Sequence, residues 1–115
     1  MNIHDILQLV VDQQGSDIHL IANHPPFLRI DGNLVSIDNV PVLQQEQLEA
    51  LIHPIMTKDQ KDYLMLNKEI DFGYQFKDLG RFRVNVYNQR GTVAAALRLI
   101  PSQIKTIEEL ALPKV

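Results

Sequence analysis

The chain has 115 residues and a mass of 13.2 kDa, which is the size of one domain. Its apolar content of 45% and charged content of 22% are ordinary for a globular protein and carry no signature of disorder. The absence of cysteine excludes a disulfide scaffold, a thiolate metal site and a cysteine nucleophile. The sequence has no apolar run long enough to span a membrane and no secretory signal at its beginning, so we expect a cytosolic location.

The net charge of −3 conceals an uneven distribution. Residues 1–80 contain five Lys and Arg against twelve Asp and Glu, whereas residues 81–115 contain six against two. Four of the five arginines lie between Arg81 and Ile107, a segment without any acidic residue. This local excess of positive charge indicates an anionic partner, although a solvated basic surface is the simpler alternative.

The beginning of the chain predicts a helix and then a strand. Asn2 is a suitable N-cap, and apolar residues recur at helical spacing until Gly15, where we expect the helix to end. Residues 16–21 predict a strand, which the His-Pro-Pro sequence at residues 24–26 terminates.

Residues 27–30 and 34–37 predict a hairpin around Asp31-Gly32-Asn33. With Gly32-Asn33 as the two-residue loop, the apolar residues of the two strands face each other. With Asp31-Gly32 as the loop, Asn33 would lie opposite Ile30. We therefore expect the Gly32-Asn33 loop.

The middle of the chain predicts two further helices. Residues 44–53 have helical apolar spacing, and Pro54 should end or kink that helix. Thr57 and Gln60 form a capping box for a third helix, which we expect to reach about Asn67.

From Glu69 to Phe76 the apolar period changes to two, which predicts a half-buried strand. A three-residue loop, Asp78-Leu79-Gly80 with Gly80 in the left-handed conformation, would pair this strand with residues 81–88. In that register the facing pairs are all apolar: Phe76–Phe82, Tyr74–Val84 and Phe72–Val86.

The last predicted strand is residues 92–100, after an Arg90-Gly91 turn, and Thr106 with Glu109 forms a further capping box. Helices interspersed with hairpin-linked strands predict an α+β domain with an antiparallel sheet and helices largely on one face.

The Arg90-Gly91 turn predicts an unusual charge pattern on the hairpin. It puts the apolar residues of both strands on one face and sets Arg83 directly opposite Arg98 on the other, with Arg81 one step away. Like charges opposed across strands destabilise a sheet, and neither Arg83 nor Arg98 has a carboxylate within this hairpin. Because guanidinium groups bind phosphate and carboxylate through paired hydrogen bonds, we expect a bound anion here.

A structural alternative remains open for these arginines. Each could pair with a carboxylate from the acidic first 80 residues and serve only to cover the sheet. In favour of the anion-binding interpretation, Ala94 and Ala96 lie on the same face of the hairpin, and their small side chains would leave that face shallow, as a docking surface would be.

No other group of residues predicts chemistry. Asp17 lies two residues from His19 and could orient its imidazole, but a hydrogen-bonded structural histidine is the commoner case. His4, His24 and His53 have no metal-ligand spacing. The sequence contains neither G-x-x-x-x-G-K-[ST] nor G-x-G-x-x-G, so it predicts no catalytic residue and no metal site.

Several segments nevertheless form a recognisable set. They are SDIHL at residues 16–20, PP at 25–26, RIDG at 29–32, GRFRVNVYNQRG at 80–91, AAALRLIP at 94–101 and EELALP at 108–113. Together they resemble the twitching-motility (PilT-type) ATPases that retract type IV pili, a branch of the type II secretion and type IV pilus superfamily of hexameric motors. The resemblance covers essentially the whole chain, and Pro54 is a departure that affects only the length of the second helix.

The resemblance implies a PAS-like N-terminal domain at residues 1–112 and, at 113–115, the start of a linker to a RecA-like ATPase domain. It implies that Arg83 and Arg98, and more weakly Arg81, contact the terminal phosphate of ATP, while ATP and Mg are held mainly by the second domain. The chain alone would then hydrolyse no ATP.

The implied partners are the RecA-like domain, neighbouring subunits of a homohexamer and the pilus machinery on the cytoplasmic side of the bacterial inner membrane. We expect no nucleic acid, because residues 1–80 are acidic and the exposed hairpin face offers only Tyr87 for base stacking. The alternative function is a free-standing PAS-like module that binds a small ligand or a partner.

Overall fold

In a computed structural model the described residues are 2–37, 40–89 and 91–101, and they form three α-helices and one sheet. In chain order the elements are α1 (Ile3–Asp12), β1 (Asp17–Ile21), β2 (Phe27–Ile30), β3 (Asn33–Ser36), α2 (Gln45–Ile52), α3 (Lys58–Asn67), β4 (Glu69–Phe76), β5 (Gly80–Gln89) and β6 (Thr92–Pro101).

The sheet contains six strands in the order β3-β2-β1-β6-β5-β4, and every neighbouring pair is antiparallel. The first strand therefore lies beside the sixth, with Asp17 opposite Arg98 and Ile21 opposite Ala94. This arrangement confirms the predicted α+β fold with an antiparallel sheet.

The helices α1 and α3 begin at the predicted N-caps, Asn2 and Thr57, and both N-caps form capping boxes. The Asp5 amide donates to Asn2 Oδ1 at 2.9 Å, and the Asn2 amide donates to Asp5 Oδ2 at 3.0 Å. Thr57 and Gln60 make the same reciprocal pair at the start of α3. Each box satisfies backbone donors that the first turn of a helix leaves free.

The predicted end of α2 at Pro54 is also confirmed. Regular α-helix stops at Ile52 and passes into a 3₁₀ turn, His53–Ile55, which contains the proline. Proline has no backbone N–H for the i→i−4 hydrogen bond, so the α-helix does not continue through it.

The hydrophobic core lies between α1, α2 and one face of the sheet. From the helices it contains Ile3, Ile6, Leu7, Val10, Leu48 and Ile52, and from the central strands Ile18, Leu20, Leu28, Phe82, Val84, Val86, Ala95 and Leu97. The third helix contributes no buried residue and packs beside β4. The opposite face of β1, β5 and β6 is left uncovered by helices among the described residues, and the candidate site lies there.

The prediction for the β2–β3 loop is wrong. Ile30 pairs with Asn33, so the two-residue loop is Asp31-Gly32, and both residues have positive φ, +52° and +82°. That combination is the type I′ turn that Asp-Gly favours. Matching of apolar residues across the hairpin was a poor guide because β3 is an exposed edge strand, so burial does not select its register.

The predicted β4–β5 register is also wrong, by two residues. The facing pairs are Tyr74–Phe82, Phe72–Val84 and Ile70–Val86, and the loop is Lys77-Asp78-Leu79. A shift of two residues leaves every side chain on its original face, so the apolar alternation fits both registers equally well. The prediction therefore depended on the loop sequence alone, and it wrongly placed Gly80 in the loop, in the left-handed conformation.

Gly80 has a different role from the one predicted. It lies in β5, and Lys77, with φ of +53°, takes the left-handed conformation in the loop. A Cβ at Gly80 would lie 2.9 Å from Leu99 Cδ1 and 3.1 Å from the Ile100 carbonyl oxygen. Gly80 is therefore needed for close approach of β5 to β6.

The predicted β5–β6 register is confirmed. Arg83 lies opposite Arg98, and Gln89 pairs with Thr92 after the expected number of intervening residues.

The predicted capping box at Thr106 and Glu109 and the predicted domain boundary at residue 112 lie outside the described residues. Within the described segments, no helix is both long enough and apolar enough to cross a bilayer.

A matched pair of leucines tests the location of the core. Leu7→Ala removes a side chain that is 0% exposed and should lower the free energy of unfolding by about 2–5 kcal/mol. Leu66→Ala removes one that is 81% exposed and should change it by less than about 0.5 kcal/mol. Urea denaturation of both variants measures the difference, and similar losses would contradict this core assignment.

Candidate functional site

The open face of the sheet carries four charged side chains in line, which we call the arginine row: Arg29, Asp17, Arg98 and Arg83. They come from β2, β1, β6 and β5 respectively, and each lies directly opposite the next across two neighbouring strands. The row therefore places one carboxylate between two arginines and then sets two arginines side by side.

Asp17 bridges Arg29 and Arg98, its two neighbours in the row. Arg29 Nε lies 3.2 Å from Asp17 Oδ2, and Arg98 Nε lies 3.3 Å from Asp17 Oδ1. A terminal nitrogen of Arg29 also donates to the Gly32 carbonyl oxygen at 3.0 Å. The Asp17 side chain is only 13% exposed, whereas that of Arg98 is 76% exposed. Asp17 thus holds the Nε edge of the Arg98 guanidinium and leaves the terminal nitrogens in solvent.

Arg83 has a separate carboxylate partner. Its Nε and one terminal nitrogen donate to the two carboxylate oxygens of Asp71 at 3.2 and 3.1 Å. This hydrogen bonding, with the charge of Asp71, raises the pKa of the Arg83 guanidinium above its ordinary value. The Arg83 side chain remains 68% exposed, so the pair lies in solvent.

The carboxylate pairing that the sequence left open is therefore observed: Arg83 and Arg98 each contact a carboxylate from the first 80 residues. Strands β1 and β4 flank the hairpin and supply Asp17 and Asp71, which the hairpin by itself does not contain. The Asp71 contact is an exposed ion pair, and such pairs contribute little to stability. The Asp17 contact is exposed only on the Arg98 side, and in both contacts a multivalent anion can compete for the exposed guanidinium. The two carboxylates therefore neutralise part of the positive charge without covering the arginines.

Arg81 lies further along the same face. It is opposite Ile100 on one side and Gln75 on the other. A Cβ at Gly73 would lie 2.5 Å from a terminal nitrogen of Arg81, so the guanidinium group lies across that glycine. Arg81 therefore lies toward β4, away from Asp17 and Arg98.

The arginine row borders an open depression of about 570 Å³. Its lining includes two of the three predicted arginines, Arg83 and Arg98, together with Arg29, His19, Asn85 and Ala96. Sequence reasoning missed Arg29, because its part in the site depends on pairing between β1 and β2. Ala96 is small, and it lies between His19 and Asn85 in the register.

Ala94 does not extend this depression as predicted. It is 1% exposed, and it lies between Tyr87 and Ile21 on the neighbouring strands. These larger side chains enclose it, so the low part of the face is over Ala96.

His19 matches neither of the two roles considered from the sequence, an imidazole oriented by Asp17 or a hydrogen-bonded structural histidine. One oxygen of Asp17 pairs with Arg29 and the other with Arg98, so Asp17 does not orient the His19 ring. The Nε2 atom of His19 is buried and has no hydrogen-bond partner among the described residues. It is therefore not the fully hydrogen-bonded structural histidine that we expected.

Known proteins resemble the chain along its whole length. It is 39% identical over 115 residues to the type IV pilus retraction ATPase PilT of Pseudomonas aeruginosa and 33% identical to the type IV pilus ATPase PilU of that organism. The matches cover 100% of this chain but 33% and 30% of those relatives, so the chain spans about one third of their length.

The fold matches as well. The crystal structure of the pilus retraction motor PilT with bound ADP aligns with 88% of this chain, at a TM-score of 0.80 and 39% identity. The chain is homologous to the N-terminal part of PilT-type ATPases. The matched region is 29% of that PilT chain, and no protein-family model matches the sequence.

Asp17 should be the more important carboxylate for the stability of this chain. Asp17→Asn removes the shared, mostly buried partner of Arg29 and Arg98 and should lower the free energy of unfolding by about 1–2 kcal/mol. Asp71→Asn is the matched control, and it should have a clearly smaller effect because both members of its ion pair are exposed. Chemical denaturation compares them, and equal losses would contradict the bridging role of Asp17.

Proposed function

We propose that this chain is the N-terminal domain of a hexameric, pilus-retracting ATPase, in which Arg83 and Arg98 contact the terminal phosphates of ATP. Arg81 is a secondary candidate. The observation that carries the proposal is the exposed pair itself: two guanidinium groups face each other on an uncovered sheet face, with side chains 68% and 76% exposed.

The geometry of the pair suits a polyphosphate. Neighbouring strands lie about 4.8 Å apart, so Arg83 and Arg98 can reach oxygens of one phosphate or of two adjacent phosphates. Arg98 is held through Nε alone, and Arg83 through Nε and one terminal nitrogen. The remaining terminal N–H groups can donate to a ligand without a change in backbone structure.

The charge of the site also favours an anion. Arg29, Arg83 and Arg98 outnumber their partners Asp17 and Asp71, which leaves an excess positive charge next to the depression. A triphosphate offers several charged oxygens at once, whereas each carboxylate satisfies one edge of a guanidinium. Charge-assisted hydrogen bonds to phosphate are strong enough to replace exposed ion pairs of this kind.

The catalytic machinery belongs to the rest of the parent protein in this proposal. The chain spans about a third of its relatives and contains no phosphate-binding loop of the G-x-x-x-x-G-K-[ST] type. ATP and Mg would be held mainly by a RecA-like domain. Loss of the terminal phosphate on hydrolysis would remove the anion that the arginines contact, and the N-terminal domain would then change its orientation.

We place the parent protein on the cytoplasmic side of the bacterial inner membrane, at the pilus machinery, as a homohexamer. Exposed apolar side chains on α3, namely Tyr63, Met65 and Leu66, support packing of this domain against a neighbouring subunit or its RecA-like domain. The relatives named PilT and PilU are described as type IV pilus ATPases, which supports the same assignment.

One feature favours the alternative of a free-standing ligand-binding module. A recess of about 270 Å³ between α1, α2 and the segment before α2 is lined mainly by apolar side chains, including Ile6, Val40, Leu43 and Leu51. A small apolar ligand would fit such a surface. The recess contains no charged residue, so it does not account for the arginine row.

The chain by itself should not hydrolyse ATP. It has neither a phosphate-binding loop nor a set of carboxylates arranged to hold a metal ion among the described residues. A phosphate-release assay with Mg and ATP should equal the buffer blank. Release above the blank that disappears in a point variant such as Arg83→Ala would contradict this prediction.

In the full-length parent, Arg83→Ala and Arg98→Ala should each reduce ATP turnover sharply. An arginine that stabilises charge on a transferring phosphoryl group is worth on the order of 10³-fold or more in rate. Arg83→Lys should recover only part of the activity, because an ammonium group lacks the planar arrangement of donors. Turnover of purified hexamers under saturating ATP is the measurement.

Lys58→Ala, which removes an exposed positive charge on α3, is the control for a general loss of charge. Melting temperatures of the same variants exclude unfolding as the cause. Near-normal turnover of both arginine variants, with a lower melting temperature, would instead show that the arginines only stabilise the sheet.

A further inference from the structure

His19 occupies the centre of the open face without an assigned role. It projects from the middle of β1, lies opposite Ala96, and lines the same depression as Arg83 and Arg98. Its Nε2 atom is buried and accepts or donates no hydrogen bond among the described residues. A buried polar atom without a partner costs free energy, so its retention in this position requires an explanation.

The register shows where a ligand group would meet this atom. Arg98 and Arg83 form one row across β6 and β5, and the adjacent row is His19, Ala96 and Asn85. Residues that lie diagonally across strands are about 7–8 Å apart, within reach of long side chains and of one bound group between them. Ala96 is the smallest side chain in these two rows, so a ligand can approach the sheet most closely there.

The other polar groups around this position already have partners. The Asn85 amide nitrogen donates to Glu69 Oε1 at 3.2 Å, toward β4 and away from Ala96. Asp17 is occupied by Arg29 and Arg98. His19 therefore provides the unsatisfied hydrogen-bonding atom beside the small residue.

We infer that His19 is a third contact for the phosphate group that the arginines bind, with Nε2–H donating to a phosphoryl oxygen above Ala96. This inference rests on the proposed function and adds a residue to the same site. Nε2 is shielded from solvent in the structure, so binding requires side chains at the rim to move. Arg98 and Arg83 line the same depression with side chains 76% and 68% exposed, so their outer ends are free to turn toward a phosphate, and we expect that movement to open access to the imidazole.

Titration of the 115-residue chain with inorganic tripolyphosphate tests this inference. In nitrogen-15 NMR spectra, the ring nitrogens of His19 and the Nε–H groups of Arg83 and Arg98 should shift together and saturate with one dissociation constant. The ring of His53, which is exposed on the turn after α2, is the internal control and should not follow that curve. Absence of a saturable shift at His19 would overturn the inference.

Three variants separate the role of His19 from that of the arginines. His19→Ala should weaken tripolyphosphate binding about tenfold, the size expected for loss of a hydrogen bond to a charged group. His19→Gln should retain most of the affinity, because the amide nitrogen of Gln can reach the position of Nε2. His53→Ala should bind like the original chain.

The outcomes distinguish this inference from the proposed function. If Arg83→Ala and Arg98→Ala weaken binding while His19→Ala does not, His19 is not a phosphate contact and the arginine assignment stands. If none of the variants changes binding, tripolyphosphate does not use this face and both assignments fail for the chain. If His19→Ala does not fold, the His19→Gln variant and the shifts of the original chain decide.

Discussion

The antiparallel pairing of β1 with β6 is the contact on which both the core and the candidate site depend. It joins Asp17 to Arg98, which are 81 positions apart in the chain. Because side chains alternate along a strand, the same ladder places Ile18 beside Leu97 in the core. A single set of backbone hydrogen bonds therefore aligns the core on one face and the charged residues on the other.

This alternation separates the residues that form the core from the residues that we propose bind phosphate. The core face of β5 and β6 is closed by α1 and α2, whereas the open face has no helix over it among the described residues. Polar and charged side chains on the open face can therefore be arranged for a ligand with little cost to the core. The unpartnered Nε2 of His19 and the opposed arginines are both features that packing alone would not favour.

Carboxylates on the open face partly compensate the repulsion between its two opposed arginines. Asp17 and Asp71 reduce the repulsion between Arg83 and Arg98, since each carboxylate binds the Nε edge of one guanidinium. They do not cover the outer edges, which remain in solvent. The two explanations that the sequence left open, carboxylate pairing and anion binding, are thus compatible, because the carboxylates orient the same groups that a phosphate would contact.

The sequence by itself determined the N-caps of α1 and α3, the end of α2 before Pro54, the α+β class and the opposition of Arg83 and Arg98, because these depend on spacings of a few residues. It did not determine the β4–β5 register, since a two-residue shift preserves the alternation of faces, or the β2–β3 loop, since edge strand β3 is exposed. Only the tertiary structure decided that Asp17 binds Arg98 rather than orienting His19. That choice depends on which distant strand lies beside β1, and no local pattern in the chain records it.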